Sequence, residues 1–338
     1  MNGYDRIRKA LIGEWADQRP VMLHNFMMAA EEAGYSMKEF REDPNKAADA
    51  FIQSVEKYDL DGIMIDFDTT LMAGAIGVAV DYPEYEPARI PRGLITSWDL
   101  LDELKAIELS GNERIQIWLE TCRIIKSHFG DEIFVRGNCD QAPFSTASMV
   151  RGTQDWLMDL VAPGPEVHQL LEFCTRVCVQ FIDLMAATGV DMVSNGDSPA
   201  GPDMISPEMF RAFALPYEKK LVEVAHKHDL PYVNHICGNT DLILTDMLES
   251  GTDGLELDYK TDIHLIYKHL GPGNLFIGNI DPSGVLALGT RQLVREKTLE
   301  LLEAYKGSPR LVVNAGCAIP AGTPSENIRE MIDTVRNF

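Results

Sequence analysis

Three side chains that could bind one metal ion stand in two apolar runs far apart in the chain. Pro231–Gly238 contains His235 and Cys237, and Leu311–Cys317 ends in Cys317. Both runs are rich in Val and Ile, which is typical of strands buried in a parallel sheet. If the two strands point the same way, the three side chains meet at one edge. One imidazole and two thiolates, with a fourth position left free, is the ligand pattern of catalytic rather than structural zinc.

An alternative without metal stays open for each of these residues taken singly. A cysteine in a strand is often a small buried apolar residue, and a histidine can be satisfied inside a core. The coincidence of all three at predicted strand ends favours the zinc site.

The elements that would position these residues alternate between strand and helix. Short apolar runs predict eight strands: Pro20–His24, Asp61–Asp66, Glu132–Arg136, Asp191–Ser194, Tyr232–Ile236, Gly254–Leu257, Leu275–Gly278 and Leu311–Asn314. Helical periodicity is found over residues 4–18, 37–58, 98–108, 112–128, 145–161, 165–188 and 206–228, and again from residue 325. Residues 70–95 are predicted to be irregular.

Eight strands separated by helices predict a (β/α)8 (TIM) barrel, an α/β fold in a single domain. We expect residues 20–338 to form this barrel and residues 1–19 to form an N-terminal helical lead-in. An open doubly wound sheet is the alternative, and it is weakened because no glycine-rich dinucleotide-binding turn follows any predicted strand.

Barrel active sites lie at the C-terminal ends of the strands, where this chain carries many polar residues. Three aspartates are candidate catalytic residues, with turn or helix capping as the alternative for each: Asp197, Asp258 and Asp281. Eight further residues are candidates for substrate binding: His24, Asn25, Phe26, Asp66, Asp68, Asn138, Asn195 and Asn279. Apolar side chains near the strand ends could also enclose an aromatic ring, with ordinary packing as the alternative: Phe26, Met27, Phe67 and Phe144.

The composition excludes several classes of partner. The formal charge is −22, from 30 basic and 52 acidic side chains, so nucleic acids and anionic membrane surfaces would be repelled. The chain shows neither an apolar stretch of membrane-spanning length nor the pattern of a signal peptide at its N-terminus, so we expect a cytoplasmic protein. Six irregularly spaced cysteines do not suggest a disulfide framework, and reduced thiols are free to bind metal.

Four segments resemble the uroporphyrinogen decarboxylase superfamily: Asn234–Asn239, Thr252–Asp258, Ile277–Pro282 and Asn314–Cys317. The closer similarity is to its zinc-dependent, corrinoid-linked methyltransferases, which include methylcobamide:coenzyme M methyltransferases and the first methyltransferases of anaerobic O-demethylases. The resemblance runs from Pro20 to the last helix. It implies a (β/α)8 barrel, zinc on His235, Cys237 and Cys317, a small methylated substrate, and cobalamin carried by a separate corrinoid-binding protein.

Decarboxylation is not the activity that this chain's residues favour. The decarboxylases of the superfamily bind a substrate with many carboxylates and carry an arginine-rich segment after the first strand. The corresponding segment here, His24–Gly34, contains no arginine, and the polar residues at the strand ends include no Arg or Lys, although Arg136 lies close by.

The methyl group could move in either of two directions. Transfer from a methoxylated aromatic to cob(I)alamin is favoured by the strand end Asp61–Asp68 and by the tyrosine- and proline-containing loop at residues 81–91. Transfer from methylcobalamin to a thiol is the alternative. A third hypothesis is a non-catalytic zinc or corrinoid-protein docking module. The fourth zinc ligand and the oligomeric state have no sequence signature.

Overall fold

A computed structural model describes residues 1–104, 107–271 and 273–338. Its eight strands are parallel and lie side by side in chain order. The strands are β1 (Met22–Leu23), β2 (Gly62–Ile65), β3 (Phe134–Gln141), β4 (Met192–Gly196), β5 (Tyr232–Ile236), β6 (Gly254–Leu257), β7 (Leu275–Ile280) and β8 (Leu311–Ala315). A single parallel bridge between Val21 and Val313 joins β1 to β8. The sheet therefore closes into a (β/α)8 barrel, which confirms the predicted fold and all eight predicted strands.

Helices surround the barrel and separate its strands. They are α1 (Gly3–Ile12), α2 (Phe26–Glu32), α3 (Met37–Glu42), α4 (Pro44–Tyr58), α5 (Leu71–Ile76), α6 (Glu113–Phe129), α7 (Pro143–Arg151), α8 (Thr153–Val161), α9 (Pro165–Ala186), α10 (Pro207–Phe213), α11 (Leu215–Lys227), α12 (Leu244–Leu248), α13 (Ile263–Leu270), α14 (Arg291–Ala304) and α15 (Ser325–Arg336). No helix in the described part of the chain is long and apolar enough to cross a membrane.

Three segments predicted as single helices are each two helices. Residues 37–58 break at Asp43, whose side chain accepts a hydrogen bond from Asn45 N and caps α4, and Pro44 then begins that helix. Residues 145–161 break at Gly152, which has a positive φ of 89°. Residues 206–228 break before Leu215, where the next helix begins with a proline in its first turn.

Other helix boundaries also differ from the sequence prediction. The lead-in helix ends at Ile12 rather than at residue 18, because Gly13 adopts a left-handed conformation and caps it. Residues 70–95 were predicted to be irregular, but α5 forms at their start and ends at Gly77. The segment 98–108 begins as a 3-10 helix, Trp98–Leu104, and the prediction at residues 105–106 lies outside the described residues.

Two apolar cores support the barrel. The larger one fills the space between the strands and the outer helices. The smaller one lies inside the lower barrel, where Ile7 and Ala10 of α1 pack with inward-facing strand residues such as Met22, Phe134 and Val312. Helix α1 therefore covers the N-terminal end of the barrel and leaves the C-terminal end as its mouth.

Removing the side chain of Ile7 tests this role of α1. Ile7 is fully buried, so Ile7→Ala should lower the free energy of unfolding by about 2–5 kcal/mol, measured by urea denaturation. Ile12 of the same helix is 57% exposed, and Ile12→Ala is the matched control with a change below about 0.5 kcal/mol. Equal effects of the two substitutions would contradict the packing described for α1.

Candidate metal centre

The alternation of side chains along each strand decides which polar residues face the barrel interior. Inward-facing polar residues reach each other across the mouth through hydrogen bonds and short contacts: His24, Asp66, Asn138, His235, Glu256 and Asn314. Polar residues that face outward form hydrogen bonds with the helices around the barrel; for example, Asn25 donates to Ser54 Oγ in α4. The polar residues at the strand ends therefore form two separate groups.

The three predicted zinc ligands come together at the mouth. His235 is in β5, Cys237 follows it, and Cys317 follows β8. The Sγ atoms of Cys237 and Cys317 are 3.4 Å apart, and His235 Nε2 lies 3.0 Å from Cys237 Sγ. All three donor atoms lie within 4.8 Å of one another. This spacing and the N/S/S donor set fit a zinc ion with three protein ligands.

Hydrogen bonds orient two of these ligands. His235 Nδ1 lies 3.0 Å from the carbonyl oxygen of Glu256. Because a carbonyl only accepts, Nδ1 must carry the proton, which leaves Nε2 directed at the thiols. The loop after Cys237 is fixed by Gly238, which has a φ of 87° and donates its N–H to Asp258 Oδ2 over 2.9 Å. The backbone thus holds His235 and Cys237 in a ligand geometry.

The electrostatics of the cluster favour a bound cation. The hydrogen bond from Cys317 and the charge of His235 outweigh burial and lower the pKa of Cys237 to about 3. Burial alone would lower the pKa of His235, but the Cys237 thiolate and Glu256 raise it to about 9. The hydrogen bond to Cys237 raises the pKa of Cys317. Metal binding at this site should therefore release protons.

A buried ion pair that the sequence analysis missed lies below the metal ligands. Arg136 of β3 and Glu256 of β6 are both fully buried, and Arg136 Nη2 lies 2.7 Å from Glu256 Oε2. Arg136 also donates to Ser194 Oγ, and Asn314 Nδ2 donates to Glu256 Oε1 over 3.0 Å. Burial opposes ionisation of Glu256, but Arg136, His235 and His24 lower its pKa overall. The sequence signal for this pair is a charged residue next to apolar residues within each strand, namely Arg136 after Val135 in β3 and Glu256 between Leu255 and Leu257 in β6.

Three of the predicted substrate-binding residues form a second group at the mouth. His24 Nε2 lies 2.7 Å from Asp66 Oδ2, and Asn138 Nδ2 donates to Asp66 Oδ1 over 3.0 Å. Phe26 is buried, and its ring centroid lies 5.9 Å from that of His24. The network connects to the metal centre through Glu256, whose Oε1 is 3.8 Å from His24 Nδ1.

The remaining predicted substrate-binding residues face other surroundings. Asn195 donates to the Cys139 carbonyl and accepts from the Tyr232 hydroxyl, outside the barrel interior. Asp68 accepts from Thr70, and burial raises its pKa. Asn279 donates to the Asp258 carbonyl over 3.4 Å and lines a surface groove of ≈ 610 Å³.

The three aspartates predicted to be catalytic all accept backbone N–H groups. Asp197 is fully buried and accepts from Ser145 N and Oγ at the start of α7. Asp258 accepts from Gly238 N and Lys260 N, and Asp281 caps the turn that begins at Pro282. These contacts are those of caps and turns, the alternative considered for these residues.

The prediction that several rings enclose a substrate is wrong for two of them. Phe67 packs between Phe40 and Trp118, and Phe144 packs against Trp156. Both belong to the outer core between the strands and helices. Only Phe26 of the predicted aromatic residues lies beside an inward-facing polar side chain of the mouth, His24.

Comparisons with known proteins agree with this architecture. The sequence model described as uroporphyrinogen decarboxylase (URO-D) matches residues 2–338. The chain is 26% identical to methylcobamide:CoM methyltransferase MtbA of Methanosarcina acetivorans, over 99% of this chain and 97% of that protein. It is 25% identical to uroporphyrinogen decarboxylase of Microcystis aeruginosa, over 90% of this chain and 86% of that protein.

A solved structure shares the fold along its whole length. This is a methyltransferase from Methanosarcina mazei, which superposes with a TM-score of 0.87 at 22% sequence identity. The match covers 100% of this chain and 99% of that one.

Removing one thiol tests the metal centre. Cys317→Ala should abolish stoichiometric zinc in the purified protein, measured by elemental analysis, because two remaining ligands hold zinc weakly. Cys122, a buried thiol of α6 in the outer layer, provides the control, and Cys122→Ala should keep one zinc per chain. Equal zinc contents in the two variants would contradict the site.

The pH dependence of unfolding tests the environment of Asp197. Burial raises the pKa of Asp197 to about 6 against the hydrogen bonds from Ser145 and from the buried Glu218, whose titration is linked to that of Asp197. The protonated form contributes stability that is fully present below the pKa of the unfolded chain and is lost as the pH rises through about 6. Asp197→Asn should therefore gain roughly 1 kcal/mol more stability near pH 8 than near pH 5, measured by chemical denaturation.

The exposed Glu223 of α11 is the control for this experiment. Glu223→Gln should give the same change in stability at both pH values. If Asp197→Asn behaves in the same way as this control, the proposed effect of burial on Asp197 is wrong.

Proposed function

We propose a function from one premise, namely that the chain belongs to the uroporphyrinogen decarboxylase family, whose sequence model matches residues 2–338. Within this family, the chain is a corrinoid-dependent methyltransferase. It moves a methyl group between a small methylated substrate and the cobalt of a corrinoid that a separate protein carries. The names of the similar Methanosarcina proteins support this activity rather than decarboxylation.

One observation carries the proposal: His235, Cys237 and Cys317 converge within 4.8 Å at the barrel mouth. A structural zinc site would be closed by four protein ligands, whereas three ligands leave a position for a substrate atom. Zinc bound there would supply a Lewis acid for the oxygen or sulfur atom that loses or gains the methyl group. The chain itself orients the ligands, through the Glu256 carbonyl and the Asp258 carboxylate.

The charge of the mouth supports a neutral methyl donor, such as a methoxylated aromatic. Asp66 and Glu256 place carboxylates in the interior, and the thiolates of Cys237 and Cys317 would balance the charge of a bound zinc ion. Two buried arginines make their contacts within the protein: Arg136 pairs with Glu256, and Arg41 donates to the carbonyls of Pro83 and Glu86 and lies 3.6 Å from Asp68 Oδ2. A substrate with several carboxylates would meet these negative groups and lose its hydration without compensation. This argues against a porphyrinogen as the substrate.

The second candidate is transfer from methylcobalamin to a thiol. The activity named for the similar Methanosarcina proteins, methylcobamide:CoM methyltransferase, favours it. A thiol acceptor would place its sulfur at the same free position of the metal centre. The residues that hold the metal are the same in both directions.

Spectroscopy of the corrinoid decides between the two directions. The zinc-loaded protein should convert cob(I)alamin to methylcobalamin in the presence of a methoxylated aromatic, and Cys317→Ala should reduce this rate at least about 100-fold because the metal is lost. The parallel assay contains methylcobalamin and a panel of thiols that includes 2-mercaptoethanesulfonate. Conversion in this assay alone would assign the thiol direction. An unchanged spectrum in both assays would leave only the docking-module hypothesis.

A further inference from the structure

Two buried nitrogens inside the barrel, His24 Nδ1 and Arg136 Nη1, have no hydrogen-bond partner among the described residues, and that of His24 lies at the mouth. His24 is only 6% exposed, and its Nδ1 makes no hydrogen bond to any described residue. The carboxylate oxygen Glu256 Oε1 is 3.8 Å away, which is too far for a hydrogen bond. Buried polar atoms in folded proteins are nearly always paired. An unpaired nitrogen at this place therefore points to a group that arrives with the substrate.

Asp66 determines which nitrogen of His24 can exchange a proton. The Oδ1 atom of Asp66 accepts from Asn138 Nδ2 over 3.0 Å and from Phe67 N over 2.9 Å, which fixes the carboxylate. Its Oδ2 atom accepts from His24 Nε2 over 2.7 Å. A histidine with one nitrogen held by a carboxylate has the other available for acid–base chemistry. In His24, the available atom is Nδ1.

The position of His24 suits a substrate bound at the metal centre. A single carboxylate, that of Glu256, separates it from a zinc ligand: Oε1 lies 3.8 Å from His24 Nδ1, and Oε2 lies 4.0 Å from His235 Nδ1. The carboxylate of Glu256 is fixed by Arg136 and Asn314, so it does not move closer to His24 to form a hydrogen bond. His24 therefore lies one side chain away from the candidate metal centre.

We propose that His24 is the proton donor to the oxygen atom that loses the methyl group, and that Asp66 is its positioning residue. This inference rests on the proposed function. The methyl–oxygen bond breaks and leaves its electron pair on oxygen, while the electron pair of the attacking cobalt(I) forms the new bond to the methyl carbon. The Nδ1 proton moves to that oxygen, so that the product leaves as a neutral phenol, and solvent then returns a proton to His24.

The dependence of the rate on the leaving group tests this role. His24→Gln retains an N–H group that can donate to Asp66 but has no nitrogen that transfers a proton. Zinc-loaded wild type and variant are compared with cob(I)alamin and two donors, 4-methylanisole and 4-nitroanisole. The 4-methylphenolate leaving group needs protonation, so the variant should lose about 100-fold or more in rate with 4-methylanisole. With 4-nitroanisole, whose phenolate is stable, the loss should be less than about 10-fold.

Two further measurements separate this role from a structural one. The zinc content of His24→Gln should stay at one per chain, because His24 is not among the metal ligands. Asp66→Asn should show the same dependence on the donor with a smaller loss. Equal losses of His24→Gln with both donors would overturn the role of His24 while leaving the methyl transfer intact. No turnover of either donor by the wild type would overturn the proposed direction of transfer, and with it the role of His24.

Discussion

The ion pair between Arg136 and Glu256 is the constraint on which the rest of the mouth depends. Both side chains are fully buried inside the barrel, and their charged atoms are 2.7 Å apart. A buried charge without its partner costs several kcal/mol, so the surroundings must keep the two together. Ser194 accepts a hydrogen bond from Arg136 Nε, and Asn314 donates one to Glu256 Oε1. The same residue, Glu256, holds the candidate metal ligand His235 through its backbone carbonyl, so the ion pair and the candidate metal centre share strand β6.

This pair also sets the charge that a substrate meets. Arg136 is buried inside the barrel, where its Nη2 pairs with Glu256 and its Nη1 has no partner among the described residues. The carboxylate of Asp66 is hydrogen-bonded to His24 and Asn138. Because proteins of one fold can carry different activities, the inward-facing side chains of the mouth, rather than the barrel itself, must account for the chemistry of this chain.

Local sequence patterns predicted the elements better than their boundaries. The eight strands were found because each is a short, buried, β-branched run. Helices were joined wrongly at Asp43 and Gly152, where periodicity continues on both sides of a local break. The sequence does not separate the residues of the candidate site from their neighbours, because it predicts a polar residue at a strand end without showing which way its side chain faces. Alternation along the strand places Asn25 and Asn195 toward the outer layer, and His24 and Asp66 toward the mouth.

The sequence by itself determined the (β/α)8 barrel, confirmed by the structure, and selected three metal-binding candidates, because strand composition and ligand chemistry are properties of short segments. Only the tertiary structure decided which buried residues support those candidate ligands. Arg136 and Glu256 are 120 positions apart and lie on strands that are not neighbours in the sheet. They meet because the closed barrel turns both side chains to one axis. The pairing of His24 with Asp66 likewise depends on the register of β1 and β2, which no local pattern encodes.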